Sequence, residues 1–203
     1  SGAAGGTALL SLFCALVFLF IAKRRNLGVL GAFIAPVLAA LTCAMFFMPC
    51  AHAVKGPAFS GAWFMLHVLT AFLSYSLLFI ATVIGIAYVL QERQIKSHRL
   101  GATHYSLPPL VTLDQMNYAL IAYAAPLLGL ALAAGAIHAK NQWGSYWDWQ
   151  PKQVWALMTW LVYLFYLHIR LFRDWKGRRA VYLSIGGFVL VTLTFLVSFL
   201  FKG

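Results

Sequence analysis

Six long runs of apolar residues limit the folds open to this chain more than any other feature. A helix needs about 20 apolar residues to cross the hydrocarbon core of a bilayer. The runs occupy residues 7–22, 27–48, 62–90, 118–139, 154–171 and 180–201. The first run is slightly short, and the third is long enough to tilt or to project beyond the bilayer. The sequence therefore predicts an all-α, polytopic membrane protein with six transmembrane helices in a single domain, residues 1–203.

The composition excludes the soluble classes of protein. Of the 203 residues, 63% are hydrophobic and only 9% are charged, whereas a soluble domain carries roughly 25% charged residues. Disordered, collagenous and disulfide-rich classes are excluded as well. The three cysteines occur singly, without a CxxC or CxxCH motif, so the sequence signals neither a redox pair nor a self-attached c-type haem.

The basic residues predict the orientation of the spans. The chain has 15 Lys and Arg against four acidic residues. Eleven of the basic residues lie on one side: ten follow runs 1, 3 and 5, and Arg170 stands at the end of run 5. The opposite side holds Lys55, Lys140, Lys152 and Lys202. Because basic loops stay on the inner side of a membrane, both termini are predicted to face outward. The charge serves orientation, with binding of anionic lipid as a secondary role, and nucleic acid is not an expected partner.

Aromatic residues concentrate in one outer connection, residues 143–155, which we call the tryptophan-rich segment. It holds four of the seven tryptophans and the outer side's single acidic residue. Its candidate ligand-binding residues are Trp143, Tyr146, Trp147, Asp148, Trp149, Lys152 and Trp155. Two interpretations stand at this point. The segment is either an aromatic belt at headgroup level or a stacking platform for a flat, apolar ligand.

The sequence from Trp143 to Arg170 resembles the tryptophan-rich signature of the haem-handling proteins of cytochrome c biogenesis. The resemblance is closest to the CcsA/ResC proteins, which carry the WWD motif, and more distant to CcmC. It extends to Leu66-His67-Val68, to the segment 113–118 and to Gly135-Ala136. In motif order and membrane placement it covers residues 62–170, so the haem-handling core is predicted at about 62–172.

Two histidines are the candidate axial ligands of haem iron. His67 lies near the outer end of the third run, and His168 ends the fifth. An ionisable residue in a span suggests function, although either histidine could instead be structural or interfacial. The resemblance implies that His67 is an outer ligand and His168 an inner one. Pro151 and His168 are 17 residues apart, about 26 Å of helix, so His168 and the tryptophan-rich segment belong to separate sites.

The remaining histidines carry weaker expectations. His138 stands where the family more often has Trp, and it is a substitute ligand, a pocket donor or an interfacial residue, with a structural role favoured. His52 in the loop after the second run has a similar status. His98 and His104 lie in the long inner loop and are expected to be solvated.

The chain departs from the family pattern in two places. The family usually reads W-D-P-K-E after its tryptophans, whereas this chain has Gln150 and Gln153 in place of the two carboxylates. The family also has a second outer histidine after the last matched span, and this sequence stops at Lys202-Gly203. The chain is therefore either a truncated copy of a longer protein or a relative adapted to another task.

The resemblance implies a protein that binds haem b and presents it on the outer face for attachment to apocytochrome c. It further implies a CcsB/ResB-type membrane partner, a thioredoxin-like reductant and a bacterial inner membrane in preference to a thylakoid. Whether the chain forms part of a synthase with that partner is left open, since no independent hydrolase or transferase motif is present. The alternative is a membrane scaffold subunit in which haem is lost or only structural.

Overall fold

A computed structural model of the chain describes residues 61–97, 107–173 and 175–200, with side chains up to residue 193. It also describes Leu12, Phe13, Ala15, Leu16 and Leu19, all of which are helical. The second predicted span, most of the first, His52, His98 and His104 lie outside the described residues. Within these residues, all regular secondary structure is helical.

Two long helices form the centre of the structure. Helix α1 spans Ala62–Lys96 and helix α2 spans Leu110–Trp143. They run antiparallel, because His67 near the start of α1 contacts Ala131 near the end of α2. Pro126 lies inside α2. The carbonyls of Ala124 and Ala125 beside it accept hydrogen bonds from Ser74 and Trp160 at 2.8 and 3.0 Å, so neighbouring helices bond to the backbone on the N-terminal side of the proline.

Two further helices pack against this pair. Helix α3 spans Pro151–Phe172 and helix α4 spans Arg178–Leu200. Pro151 occupies the first turn of α3, where its fixed φ suits helix initiation and its missing N–H costs nothing. Helix α4 packs on α1 and α3, and α3 also contacts α2. In the described residues, α1, α2 and α3 are long and apolar enough to cross a membrane.

A buried polar network lies where α1, α2, α3 and α4 meet. The Asn117 amide donates to the Ala81 carbonyl at 2.7 Å and to the Ser184 hydroxyl at 3.1 Å. The Tyr166 hydroxyl donates to the Asn117 side-chain oxygen at 3.1 Å. Polar groups within a membrane protein must find partners inside the protein, and this network supplies them for residues of four helices.

The structure confirms the all-helical class, and three of the four described helices are long and apolar enough to cross a membrane. The count of six spans and the outward termini stay predictions. The helices are longer than the apolar runs, since α1 continues to Lys96 and α2 begins at Leu110. Much of the long inner loop between the third and fourth runs is therefore helical. A helix can continue beyond its apolar residues as long as each backbone N–H still bonds to the carbonyl one turn earlier.

Candidate functional site

His67 is held by the backbone of the neighbouring helix. Its Nδ1 lies 2.7 Å from the carbonyl oxygen of Ala131. Because a carbonyl oxygen can only accept a hydrogen bond, Nδ1 carries the proton. In the neutral ring the lone pair is then on Nε2. The imidazole is half-buried, so a group that approaches from outside the helix pair can reach part of the ring.

Two other polar side chains gather around His67. Lys152, at the start of α3, and His138, in the last part of α2, are close enough for their charges to act on the His67 ring. The His138 ring packs against Phe64 and Trp143, with centroids 5.3 and 6.1 Å away. The ends of α1, α2 and α3 thus bring His67, His138 and the tryptophan-rich segment together.

A tight turn begins the tryptophan-rich segment. Gly144 ends α2 with a φ of 79°, a left-handed conformation that glycine adopts without steric cost. The Gly144 N–H donates to the Lys140 carbonyl at 3.0 Å, and the Lys140 ammonium donates to the Gly144 carbonyl at 2.8 Å. The same ammonium lies 5.3 Å from the centre of the Tyr146 ring. Lys140 therefore holds both the turn and an aromatic side chain.

The aromatic rings of the segment are largely open to their surroundings. The exposed fractions are 66% for Trp143, 57% for Tyr146 and 73% for Trp149. Trp147 is half-buried and meets Trp149 edge-on at 6.0 Å. In the described part of the chain, the buried Trp147 Nε1 has no hydrogen-bond partner. The exposed rings are accessible to a ligand or to lipid headgroups, so both interpretations of the segment stay open.

Trp149 has an unusual backbone conformation. Its φ is 55°, a value that is rare for a bulky side chain. Strained backbone of this kind persists where surrounding contacts enforce it, and it clusters at functional sites. The side chain that this conformation presents is one of the most exposed rings of the segment.

Gln153 closes the turn that contains Asp148. Its side-chain oxygen accepts a hydrogen bond from the Asp148 backbone N–H at 3.1 Å. A carboxylate at position 153 would accept the same bond. The amide thus keeps the structural contact available to the family's Glu and changes only the charge.

His168 lies at the far end of α3 and on another face of the helix. It is exposed, and its ring centroid is 4.7 Å from that of Phe172. Arg170, two residues later, points into the bundle and pairs with Asp114. Residues two apart on a helix face nearly opposite directions, which places His168 on the side of α3 away from this ion pair. The structure does not bring His168 near His67.

Comparisons with known proteins bear on this arrangement of residues. The sequence profile of one family, described as cytochrome C assembly protein, matches residues 1–203. The chain belongs to the cytochrome c assembly protein family.

The relatives of this cytochrome c assembly protein include several named cytochrome c biogenesis protein CcsA. The CcsA of Guillardia theta is 36% identical over 209 residues, which cover 91% of this chain and 68% of the relative. The CcsA of Heterosigma akashiwo is 32% identical, and the match covers 96% of this chain and 72% of the relative. The CcsA of Microcystis aeruginosa is 33% identical, and the match covers 72% of this chain and 58% of the relative. No solved structure matches the chain. The resemblance to CcsA proteins is confirmed.

Sequence reasoning missed two groups that bear on His67 in this assembly protein. One is the Ala131 carbonyl that orients the ring, which no side-chain pattern reveals. The other is Gly135, which lies directly beneath the imidazole. Gly135 stands in the part of the chain that resembles the family, but a glycine in an apolar run gives no sign of the side chain that packs on it. The ligand roles of the histidines and aromatic residues stay predictions.

Proposed function

We propose that this chain binds haem b and presents it for attachment to apocytochrome c. Membership of the cytochrome c assembly family supports a role in cytochrome c biogenesis. The residue arrangement at one end of α1, α2 and α3 supports the haem-binding part. By the distribution of basic residues, that end faces outward.

One observation supports an outer haem site more than any other. The Nδ1–H of His67 is bonded to the Ala131 carbonyl, which leaves Nε2 of the neutral ring as the atom able to bind iron. Histidine ligands of metals usually donate their other N–H to a carbonyl or a carboxylate, which fixes the ring and raises its basicity. His67 already has this arrangement in the structure.

The tryptophan-rich segment fits the rest of a haem. The exposed faces of Trp143 and Trp149 suit stacking on a flat conjugated ring. The unpaired Trp147 Nε1 is a donor that a propionate oxygen would satisfy, and Lys152 supplies a positive charge near His67 for the same acidic groups. Asp148, Tyr146 and Trp155 complete the candidate set, and His138 is the candidate for a second iron ligand beside His67. Bound haem supplies the vinyl groups that thioether formation requires.

A second, inner haem site is proposed at His168. About 26 Å of helix separates this residue from the start of α3, so one iron atom cannot bind there and in the outer site. His168 is exposed on α3. Haem would approach it from the lipid side. We propose from the family resemblance that haem passes from the inner site to the outer site.

The scaffold alternative is less well supported. It depends in part on the replacement of two carboxylates by Gln150 and Gln153. The Gln153 side chain still holds the turn at Asp148, so this replacement leaves the fold of the segment intact.

The partners and the membrane are proposed from the family. Apocytochrome c is the acceptor of haem, a CcsB/ResB-type membrane protein is the partner, and a thioredoxin-like protein keeps the acceptor thiols reduced. The membrane is a bacterial inner membrane or a thylakoid membrane.

The experiment that tests this proposal is a haem titration of the full-length protein in lipid nanodiscs. Absorption spectra are recorded for the wild type, His67→Ala and His168→Ala. The wild type should bind haem, and each variant should lose or alter one of two spectral components. A wild-type protein that stays free of haem when haem is in excess would exclude the proposal.

A second set of variants separates the outer site from general misfolding. Trp147→Ala and Trp149→Ala should weaken the component lost in His67→Ala and leave the other unchanged. Trp175→Ala is the matched control, because this partly exposed tryptophan lies at the opposite end of the bundle, against Arg179. Equal loss in all three variants would contradict an outer aromatic site.

A further inference from the structure

The His67 ring occupies space that exists only because residue 135 is glycine. A Cβ atom at Gly135 would lie 2.8 Å from Nδ1 and 3.1 Å from Cε1 of His67. Contacts below 3.0 Å essentially never occur for real Cβ atoms. Any other residue at position 135 would therefore force the imidazole to move.

The backbone at Gly135 does not itself require glycine. The residue is inside helix α2, where alanine is favoured over glycine by about 1 kcal/mol. Gly61, Gly144 and Gly177 have positive φ, and Gly135 is not among the positive-φ glycines of the described residues. The reason for glycine at this position is thus the side chain that packs on it.

Ala131 and Gly135 are four residues apart and lie one above the other on the same face of α2. That face meets α1 at His67, whose Nδ1 reaches the Ala131 carbonyl at 2.7 Å. This oxygen has two lone pairs, so it can accept the imidazole N–H in addition to its helical bond. The ring reaches the carbonyl by lying across the surface of Gly135.

We propose that Gly135 is a positioning residue for His67. By leaving room for the ring, it permits the Nδ1–H···O=C bond that fixes the tautomer and keeps the lone pair on Nε2. The inference rests on the proposed function, in which Nε2 of His67 binds haem iron. Gly135 and the Ala131 carbonyl, both on α2, then determine how strongly His67 binds the iron.

A purely structural role for Gly135 makes different predictions. Small residues let membrane helices approach closely, and a Cβ at position 135 would then disturb the α1–α2 contact whatever occupies position 67. A positioning role acts only through the imidazole. Its effect on haem binding must vanish when the imidazole is absent.

The test uses full-length protein in nanodiscs and two readouts. The first is the ¹⁵N NMR spectrum of labelled histidines in haem-free protein, with His67 assigned by comparison with His67→Ala. The wild type should show the Nδ1–H tautomer at His67, and Gly135→Ala should lose it. The second readout is haem affinity, which should fall by about 10–100-fold at the outer site in Gly135→Ala, the usual cost of losing an outer-shell partner. The reduction potential of that haem should rise, because a less basic imidazole stabilises ferric iron less.

Two controls complete the design. Gly186→Ala makes the same change where an added Cβ meets nothing within 4 Å, and it should alter neither readout. In a His67→Ala background, which removes the outer haem component, adding Gly135→Ala should leave the free energy of unfolding unchanged. A loss of stability in that background would assign Gly135 to helix packing and overturn the inference.

The two proposals fail in different ways. An Nε2–H tautomer in the wild type, or an Nδ1–H tautomer that survives in Gly135→Ala, would overturn the positioning role even if haem binds. A wild-type protein with the expected tautomer that binds no haem would instead overturn the proposed function. The wild-type spectrum requires no substitution, so the inference stays testable if Gly135→Ala does not fold.

Discussion

Arg170 and Asp114 form a bidentate ion pair inside the helical bundle, between the end of α3 and the start of α2. Both side chains are buried. The Gly177 N–H also donates to Asp114, at 2.9 Å, and Arg170 donates to the Trp175 carbonyl at 2.9 Å. The pair therefore fixes the connection between α3 and α4 against α2, and every charge in it is compensated.

Asp114→Asn should destabilise the protein by about 3–5 kcal/mol, because it leaves a buried guanidinium without its counter-charge. The measurement is reversible unfolding in mixed detergent micelles. Glu92→Gln is the matched control. Glu92 pairs with Lys96 and, at 3.9 Å, with Arg178, whose side chains are 61% and 55% exposed. Ion pairs with cations this exposed contribute less than about 1 kcal/mol each. Equal costs for the two variants would show that the Asp114 pair is solvated.

The sequence predicted the existence of the described helices better than their ends or the contacts between them. The apolar runs 62–90, 118–139, 154–171 and 180–201 each coincide with a described helix, although α1 continues to Lys96 and α2 begins at Leu110. For Arg170, in contrast, the sequence predicts only a cation on the inner side of the membrane. Its partner is 56 residues away, and the pairing depends on how α2 and α3 pack, which no local pattern encodes.

The candidate site likewise contains residues that the sequence identified and contacts that only the structure reveals. Motifs identified His67 and the tryptophan-rich segment, because those residue types are distinctive. The bond to the Ala131 carbonyl and the space at Gly135 depend on the register between α1 and α2. A single sequence does not reveal which backbone carbonyl accepts a side-chain hydrogen bond, or which glycine leaves room for a neighbouring ring.

Gly186 and Gly187 provide a second matched comparison, on packing within the bundle. A Cβ at Gly187 would lie 2.9 Å from Cζ of the buried Tyr163, so Gly187→Ala should cost about 1–3 kcal/mol through overpacking. A Cβ at Gly186 meets nothing within 4 Å. Gly186→Ala should therefore be neutral or stabilise the helix by up to about 1 kcal/mol. Unfolding free energies of both variants check this, and a reversed order would refute the contact between α3 and α4 at Tyr163.

Trp149→Gly should separate stability from haem binding. The φ of 55° at Trp149 costs on the order of 1–3 kcal/mol for a residue that is not glycine. Replacement by glycine removes that strain and should protect the segment against limited proteolysis. The same variant loses an exposed ring, so the affinity for haem at the outer site should fall. Parallel proteolysis and haem titration provide the measurements.

Trp149→Ala is the control for that experiment, because alanine removes the ring without relieving the backbone. It should lose haem affinity to the same extent and gain no resistance to protease. If glycine and alanine give the same proteolysis rate, the left-handed conformation at position 149 is not a source of strain.

The hydrogen bond between Gln153 and Asp148 predicts how position 153 responds to substitution. Gln153→Met keeps the length of the side chain but removes the oxygen that accepts from the Asp148 N–H at 3.1 Å. Hydrogen exchange at that amide should therefore accelerate by about 5–10-fold, which corresponds to a bond worth about 1 kcal/mol. Gln153→Glu restores the family's carboxylate and should keep the amide protected, since a charged acceptor bonds more strongly. Hydrogen exchange followed by mass spectrometry of residues 145–155 measures both variants. Fast exchange in Gln153→Glu would mean that repulsion from the nearby Asp148 carboxylate outweighs the stronger bond. The turn at Asp148 would then require the uncharged side chain of Gln153.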